Sequence, residues 1–221
     1  MGEWVTIFAA GRGRIRNLGI PSLIIIVQRK DTMERIAELL FQAFQLKHTQ
    51  RTGYQFLGIG QESVAEHSFA TTFIAYVLSQ LSPKADSRRL MAMCLVHDLP
   101  EARTGDLNYV QKIYVQADNG KAIADTVADL PFGDEMAELI EEFEAGETLE
   151  AQLAYDADQL SFVIELKSLA DKGYTPPESW LPNVAARLKT LPGRQLASTL
   201  LAMPADHWWR KFFVDRGNGK Q

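Results

Sequence analysis

Two histidines thirty positions apart, His67 and His97, are the residues of this chain best placed to do chemistry. Each falls on the apolar stripe of its own segment. His67 is in phase with Ala70, Ile74 and Leu78, and His97 with Leu90 and Met93, so both imidazoles point toward a shared interior. A single histidine on such a stripe is more often a hydrogen-bonded core residue than a ligand. Asp98 changes that balance. It follows His97 directly, and a carboxylate beside a buried imidazole is costly unless a cation or hydrogen bonds compensate it. A further acid, Asp156 or Asp158, lies on a later, largely apolar segment. Imidazole and carboxylate together suit one divalent ion, Mn, Fe, Co, Ni or Zn, with Mg as a further candidate. Such an ion acts as a Lewis acid and lowers the pKa of its water.

Helical periodicity dominates the elements that must position these groups. No repeat, low-complexity segment or convincing two-residue hairpin turn competes with it. Asp31 and Glu34 have capping-box spacing ahead of the stripe Ile36, Leu39, Leu40, Ala43 and Phe44, which predicts a helix over 32–48. Ser63 and Glu66 repeat that spacing ahead of a helix to about residue 80, with His67 one turn inside its start. Asp86 caps a third helix that runs to His97 before Pro100 disturbs the next turn, and Thr104, Gly105 and Asp106 form the exit loop. Further helices are expected over 111–128, 134–144 and 149–172. The last ends at Gly173, and Pro176 and Pro177 mark a loop reaching Pro182. A final helical region, 183–213, is broken near Pro192 and Pro204. It closes with the aromatic tip Trp208, Trp209, Phe212 and Phe213, which either packs on the core or forms part of a homodimer interface. The expected fold is all-α, a single compact helical bundle over 31–213 with the metal site between its central helices. A weakly structured extension, 1–30, precedes it and a disordered tail, 214–221, follows.

Composition narrows the partners. The 221 residues, 46% hydrophobic, suffice for one sizeable core. A net charge of -5 and a pI near 5.4 leave no basic footprint for nucleic acid, while a small anion needs only a few local charges. Cys94 is the only cysteine, which excludes an internal disulfide and fits a reducing compartment. Arg12, Arg14 and Arg16 precede the apolar run Leu23 to Val27, which is far short of the roughly 20 residues that span a bilayer and lacks a small-residue cleavage site. A cytoplasmic protein without a membrane partner is expected.

The ordered set Arg51-Thr52-Gly53, Glu66-His67-Ser68, His97-Asp98-Leu99-Pro100-Glu101, Thr104-Gly105-Asp106 and Ala157-Asp158-Gln159 resembles the HD-domain superfamily of metal-dependent phosphohydrolases. Within it, the 5'-deoxynucleotidase branch is the most similar, over residues 33–190. The resemblance implies an HD-domain bundle with one metal held by His67, His97, Asp98 and Asp158. Periodicity with Leu153, Leu160 and Val163 slightly favours Asp156 for the inner face. The family pattern selects Asp158 and leaves Asp156 as a helix-surface or supporting acid. The resemblance further implies Glu101 as general acid or base and Arg51 as a phosphate clamp through its paired donors. It also suggests Asp106 as partner of a sugar hydroxyl, Lys112 near the phosphate and Ser68 as a pocket neighbour.

One departure bears on the substrate. The branch's best-known bacterial type has a tryptophan after the arginine that helps to reject a ribose 2'-hydroxyl, whereas this chain has Thr52, with Tyr54 two positions later. The expected reaction is hydrolysis of a nucleoside or deoxynucleoside 5'-monophosphate to nucleoside and phosphate, by a homodimer. The alternatives are an HD phosphodiesterase or guanosine-tetraphosphate hydrolase, and a non-catalytic metal-dependent nucleotide-sensing module. No histidine occurs from 99 to 206, which counts against a second metal, and the retention of Glu101 counts against a sensor.

Overall fold

The computed structural model describes residues 30–214. The extension and the tail expected at the two ends lie outside the described residues, apart from their innermost positions. Among the described residues twelve helical segments follow one another: α1 (Lys30–Gln45), α2 (Tyr54–Leu57), α3 (Val64–Leu81), α4 (Ser87–Val96), α5 (Glu101–Thr104), α6 (Gln111–Tyr114), α7 (Asn119–Val127), α8 (Gly133–Ala145), α9 (Leu149–Asp171), α10 (Pro176–Ala185), α11 (Leu191–Ala202) and α12 (His207–Val214). The only β pairing among the described residues is a single bridge between Gln50 and Ser63.

Local chemistry starts these helices where the chain needs them. Ser63 Oγ accepts from Glu66 N at 3.2 Å while Glu66 Oε2 accepts from Ser63 N at 2.7 Å, a reciprocal cap that fixes the first turn of α3 just ahead of His67. Asp86 caps α4 by accepting from Arg89 N, and Thr148 caps α9 by accepting from Ala151 N. Each cap satisfies an amide that the helix leaves unpaired, and losing one costs about 1 kcal/mol.

α9 is the central element, with α3, α4, α8, α10 and α11 packed around it. Ile74 and Leu78 of α3, Leu90 and Met93 of α4, and Leu153 and Leu160 of α9 form the main core. Val163 and Leu166 continue along α9 into a second cluster with Tyr54, Leu57, Leu181 and Val184. Because α9 is covered on several sides, its inward positions extend beyond one stripe. Asp156, Ala157, Leu160 and Ser161 are all buried.

Three sequence expectations need correction. The helix expected over 111–128 is two pieces. Asn108 Oδ1 accepts from Val110 N and Gln111 N and starts the short α6, the chain becomes extended at Val115, and Asp118 caps α7 by accepting from Lys121 N. Side chains that bond their own backbone favour such ends over a continuous helix. The loop expected from Gly173 to Pro182 is mostly α10, since Pro176 and Pro177 occupy its first turn, where the missing N–H goes unneeded and the fixed φ suits a helix. α1 already includes Lys30 and Asp31, so the helix begins before the expected cap. The aromatic tip does not pack on the core, as Trp208 and Phe213 on α12 remain 71% and 73% exposed. Among the described residues, no helix is long and apolar enough to cross a membrane.

Candidate active site and metal centre

α3, α4 and α9 meet at the two histidines. His67 is fully buried, and its Nδ1 lies 3.0 Å from Ser161 Oγ. Ser161 gives its one hydroxyl proton to the Asp158 carbonyl at 2.8 Å, so it accepts from His67 Nδ1–H. His97 stands at the C-cap of α4, where Nδ1 is 2.9 Å from the Cys94 carbonyl, a group that can only accept. The outer nitrogen of each ring therefore carries a proton, and each Nε2 is turned inward with its lone pair available. This is the orientation that a metal-bound imidazole requires. Phe143 backs the His97 ring with centroids 4.6 Å apart.

Asp98 Oδ2 lies 3.3 Å from His97 Nε2 and 3.5 Å from His67 Nε2, and the three residues offer donor atoms that all lie within 4.8 Å of one another. Asp158 flanks this cluster from the His67 side, with Oδ1 2.9 Å from His67 Nε2. Two atoms bearing lone pairs come that close only around a cation, either a shared proton or a metal. Ligands bound to one ion at right angles with bonds near 2.1 Å sit about 3.0 Å apart. The observed spacings are close to that separation.

Burial opposes ionisation of Asp158, but with a proton in the cation's place on each Nε2 the hydrogen bond from His67 and the positive charges of His67, His97 and Arg51 prevail and hold the carboxyl well below its ordinary range. Three buried atoms at the same place, His97 Nε2, Asp98 Oδ2 and Glu101 Oε2, have no hydrogen-bond partner in the protein. An unsatisfied buried polar atom costs about 1–3 kcal/mol. Three such atoms, one of them an imidazole nitrogen, fit a divalent cation and its ligands well.

Arg51 lies across from the cluster, Nη1 3.7 Å from Asp98 Oδ2 and Nε 3.9 Å from Glu62 Oε2. Burial works against its charge, but Asp158, Asp98, Asp106 and Glu62 outweigh that effect and raise its pKa. Glu101 is pushed up to about 9, first by burial and then by the charges of Asp98 and Asp106, against the pull of Arg51 and Lys112. All of these residues except Glu62 line a cavity of about 250 Å³ together with His97. A neighbouring cavity of about 750 Å³ shares His97, Asp98, Glu101 and Lys112.

The other expected site residues are dispersed. Asp106 lines the smaller cavity, but its Oδ2 accepts from Thr52 N at 2.7 Å and from Thr52 Oγ1 at 3.2 Å, so Thr52 serves to hold Asp106. Lys112 is exposed at the rim. Ser68 does not line either cavity, because its hydroxyl donates back to the Val64 carbonyl at 2.8 Å. Asp156 is neither a surface acid nor part of the cluster. It is completely buried and accepts from Lys189 N, Thr190 N and Thr190 Oγ1 at 2.7, 2.8 and 2.5 Å, pinning the start of α11 to α9. Sequence reasoning missed Ser161, Glu62, Phe143 and the outer wall formed by Tyr109, Phe162, Trp180 and Arg187. Ser161 had one legible signal, its position three residues after Asp158 on the same face of a helix.

Known proteins resemble this chain over much of its length. The family model described as HD domain matches residues 43–198. The chain is 30% identical over 139 residues to the 5'-deoxynucleotidase HDDC2 of Danio rerio, covering 60% of this chain and 68% of that protein. It is 26% identical over 138 residues to the protein of the same name from Homo sapiens, covering 60% and 67%. A solved structure of a conserved hypothetical protein from Pyrococcus furiosus superposes with a TM-score of 0.67 at 28% identity, covering 76% of this chain and 99% of that one. With its helical architecture and its paired histidine and aspartate, the chain belongs to the HD-domain superfamily of metal-dependent phosphohydrolases.

Proposed function

We propose that the protein hydrolyses nucleoside 5'-monophosphates, deoxynucleotides first among them, to nucleoside and phosphate, at a single divalent cation held by His67, His97, Asp98 and Asp158. The observation that carries this reading is the convergence of the unpartnered His97 Nε2, Asp98 Oδ2 and Glu101 Oε2 on a cavity that also holds Arg51. The names of the HDDC2 relatives point the same way. When bound, the cation supplies Lewis acidity to a phosphoryl oxygen and to the attacking water.

The chain's own residues do the rest. Arg51 presents paired donors to the non-bridging phosphate oxygens and offsets the charge that builds as the phosphoryl group transfers. Glu101, which lines the same cavity as Asp98 and Arg51, is the acid placed to hand a proton to the departing 5'-oxygen. Asp106, steadied by Thr52, is placed to accept from a sugar hydroxyl. Thr52 is engaged with Asp106 and so does not stand as a bulky screen against a 2'-hydroxyl, which makes ribonucleotides substrates to be tested alongside deoxynucleotides.

The test is phosphate release from ribo- and deoxyribonucleoside 5'-monophosphates, cyclic dinucleotides, guanosine tetraphosphate and a generic phosphoester, with each candidate metal added in turn. Turnover of monophosphates that is lost in Asp98→Ala, together with bound metal, is the expected result. A preference for a cyclic or pyrophosphate substrate would reject the nucleotidase reading, and full activity in Asp98→Ala would reject the mechanism.

A further inference from the structure

The outer half of the 250 Å³ cavity is made of residues with no part in the metal cluster. Phe162 lies one turn beyond Asp158 on α9, about 6 Å along the helix axis. Its ring meets that of Trp180, from α10, edge-on with centroids 6.0 Å apart. Tyr109, after α5, and Arg187, just past α10, also line the cavity, and both are exposed. Arg187 Nη1 donates to Tyr109 Oη at 2.5 Å and to Gln159 Oε1 at 3.4 Å, with the guanidinium 5.5 Å from the Tyr109 ring centroid. Gln159 Nε2 in turn donates to Asp158 Oδ2 at 2.7 Å, so this wall is tied directly to the acid beside His67. The inner end of the cavity is charged and the outer end is aromatic.

We propose that the outer wall is a nucleobase subsite, in which Phe162, Trp180 and Tyr109 supply π faces and Arg187 supplies hydrogen-bond donors to a base whose 5'-phosphate lies at Arg51. The proposal rests on the nucleotidase reading above. One helical turn is of the order of the span from a 5'-phosphate across a pentose to its base. Aromatic faces accept any base, because every base has a π face. Arg187 has donors only, and among the described residues its Nε and Nη2 make no hydrogen bond, so they remain for the acceptor atoms of a base edge.

The experiment compares kcat/KM for nucleoside 5'-monophosphates with that for 2-deoxyribose 5-phosphate, which has no base, using the full-length, metal-supplemented protein. Binding of nucleosides to chelator-treated protein, read by saturation-transfer NMR on the base protons, gives a second readout that needs no turnover. The parent protein is expected to prefer nucleotides over the base-free sugar phosphate, and the preference should fall about tenfold in Trp180→Ala and in Arg187→Ala, with loss of base-proton saturation in Trp180→Ala. Circular dichroism checks folding, and the exposed Arg187 variant reports even where Trp180→Ala does not fold. Equal use of the base-free substrate by the parent, or an unchanged preference in folded variants, overturns the subsite. If no phosphomonoester is hydrolysed, the nucleotidase reading fails, and nucleoside binding in the parent against the variants still decides the subsite.

Discussion

Glu101→Gln should make the metal-free protein more stable while disabling it. Glu101 is pushed from an ordinary 4.5 up to about 9, by burial first and by Asp98 and Asp106 next. In that interval the folded protein keeps a proton that the unfolded chain has released. The group's contribution is therefore fully present below about pH 4.5 and is lost as pH rises toward its folded pKa, at about 1.4 kcal/mol per pH unit. By pH 7 the accumulated loss is on the order of 3 kcal/mol, which glutamine, having no proton to lose, does not incur. For a chain of this size that corresponds to a gain of roughly 5–10 °C in melting temperature at pH 7, shrinking to nothing near pH 4.5. A divalent cation beside Glu101 favours its ionised form and should narrow the gap. Loss of a general acid should lower kcat by about 10² to 10⁴. Melting curves of both proteins from pH 5 to 8, with chelator and then with metal, decide the matter. Parallel pH profiles for parent and variant in chelator would refute the reasoning, because the destabilising proton uptake would then not reside at Glu101.

Three other substitutions probe separate links of the argument. Ser161→Ala removes the acceptor that orients His67 through Nδ1, and metal affinity measured by titration should fall about 10- to 100-fold with little change in fold. Arg51→Lys keeps the charge but not the paired donor geometry. Steady-state kinetics should show kcat/KM reduced by about tenfold or more, whereas an unchanged value would mean that Arg51 does not grip the phosphate. Gly193→Ala would set a Cβ 2.2 Å from Asp156 Oδ2, so the start of α11 must shift and break the buried carboxylate's bonds to Lys189 and Thr190. Urea unfolding should register a loss on the order of 3 kcal/mol, and a loss below about 1 kcal/mol would show that the turn adapts freely.

The legible parts of this chain were those with local causes. The Ser63–Glu66 and Asp86 caps are contacts within one turn, and the histidine phases follow from helices that each bury one face. Asp156 and Asp158 are harder to separate because α9 is enclosed on several sides, so periodicity, which slightly favours Asp156 for the inner face, cannot say what either acid meets there. Asp156 meets the amides at the start of α11, 33 and 34 residues away, and no local pattern announces that. The aromatic outer wall was hidden for the same reason. Tyr109, Phe162, Trp180 and Arg187 come from four separate segments, each ordinary in its own surroundings. Pro176 and Pro177 resemble breakers in the sequence because proline ends a helix interior, although in a first turn it starts one.

The enclosure of α9 also bears on how the molecule opens. A helix with few solvent-facing positions cannot fray from its middle, so the amides from Leu153 to Leu166 should exchange with deuterium only when the whole bundle comes apart. Asp158 and Ser161 sit inside that stretch. Metal affinity at His67 would therefore appear as protection spread along the entire helix, and slow exchange far from the cavity would report on an ion bound within it.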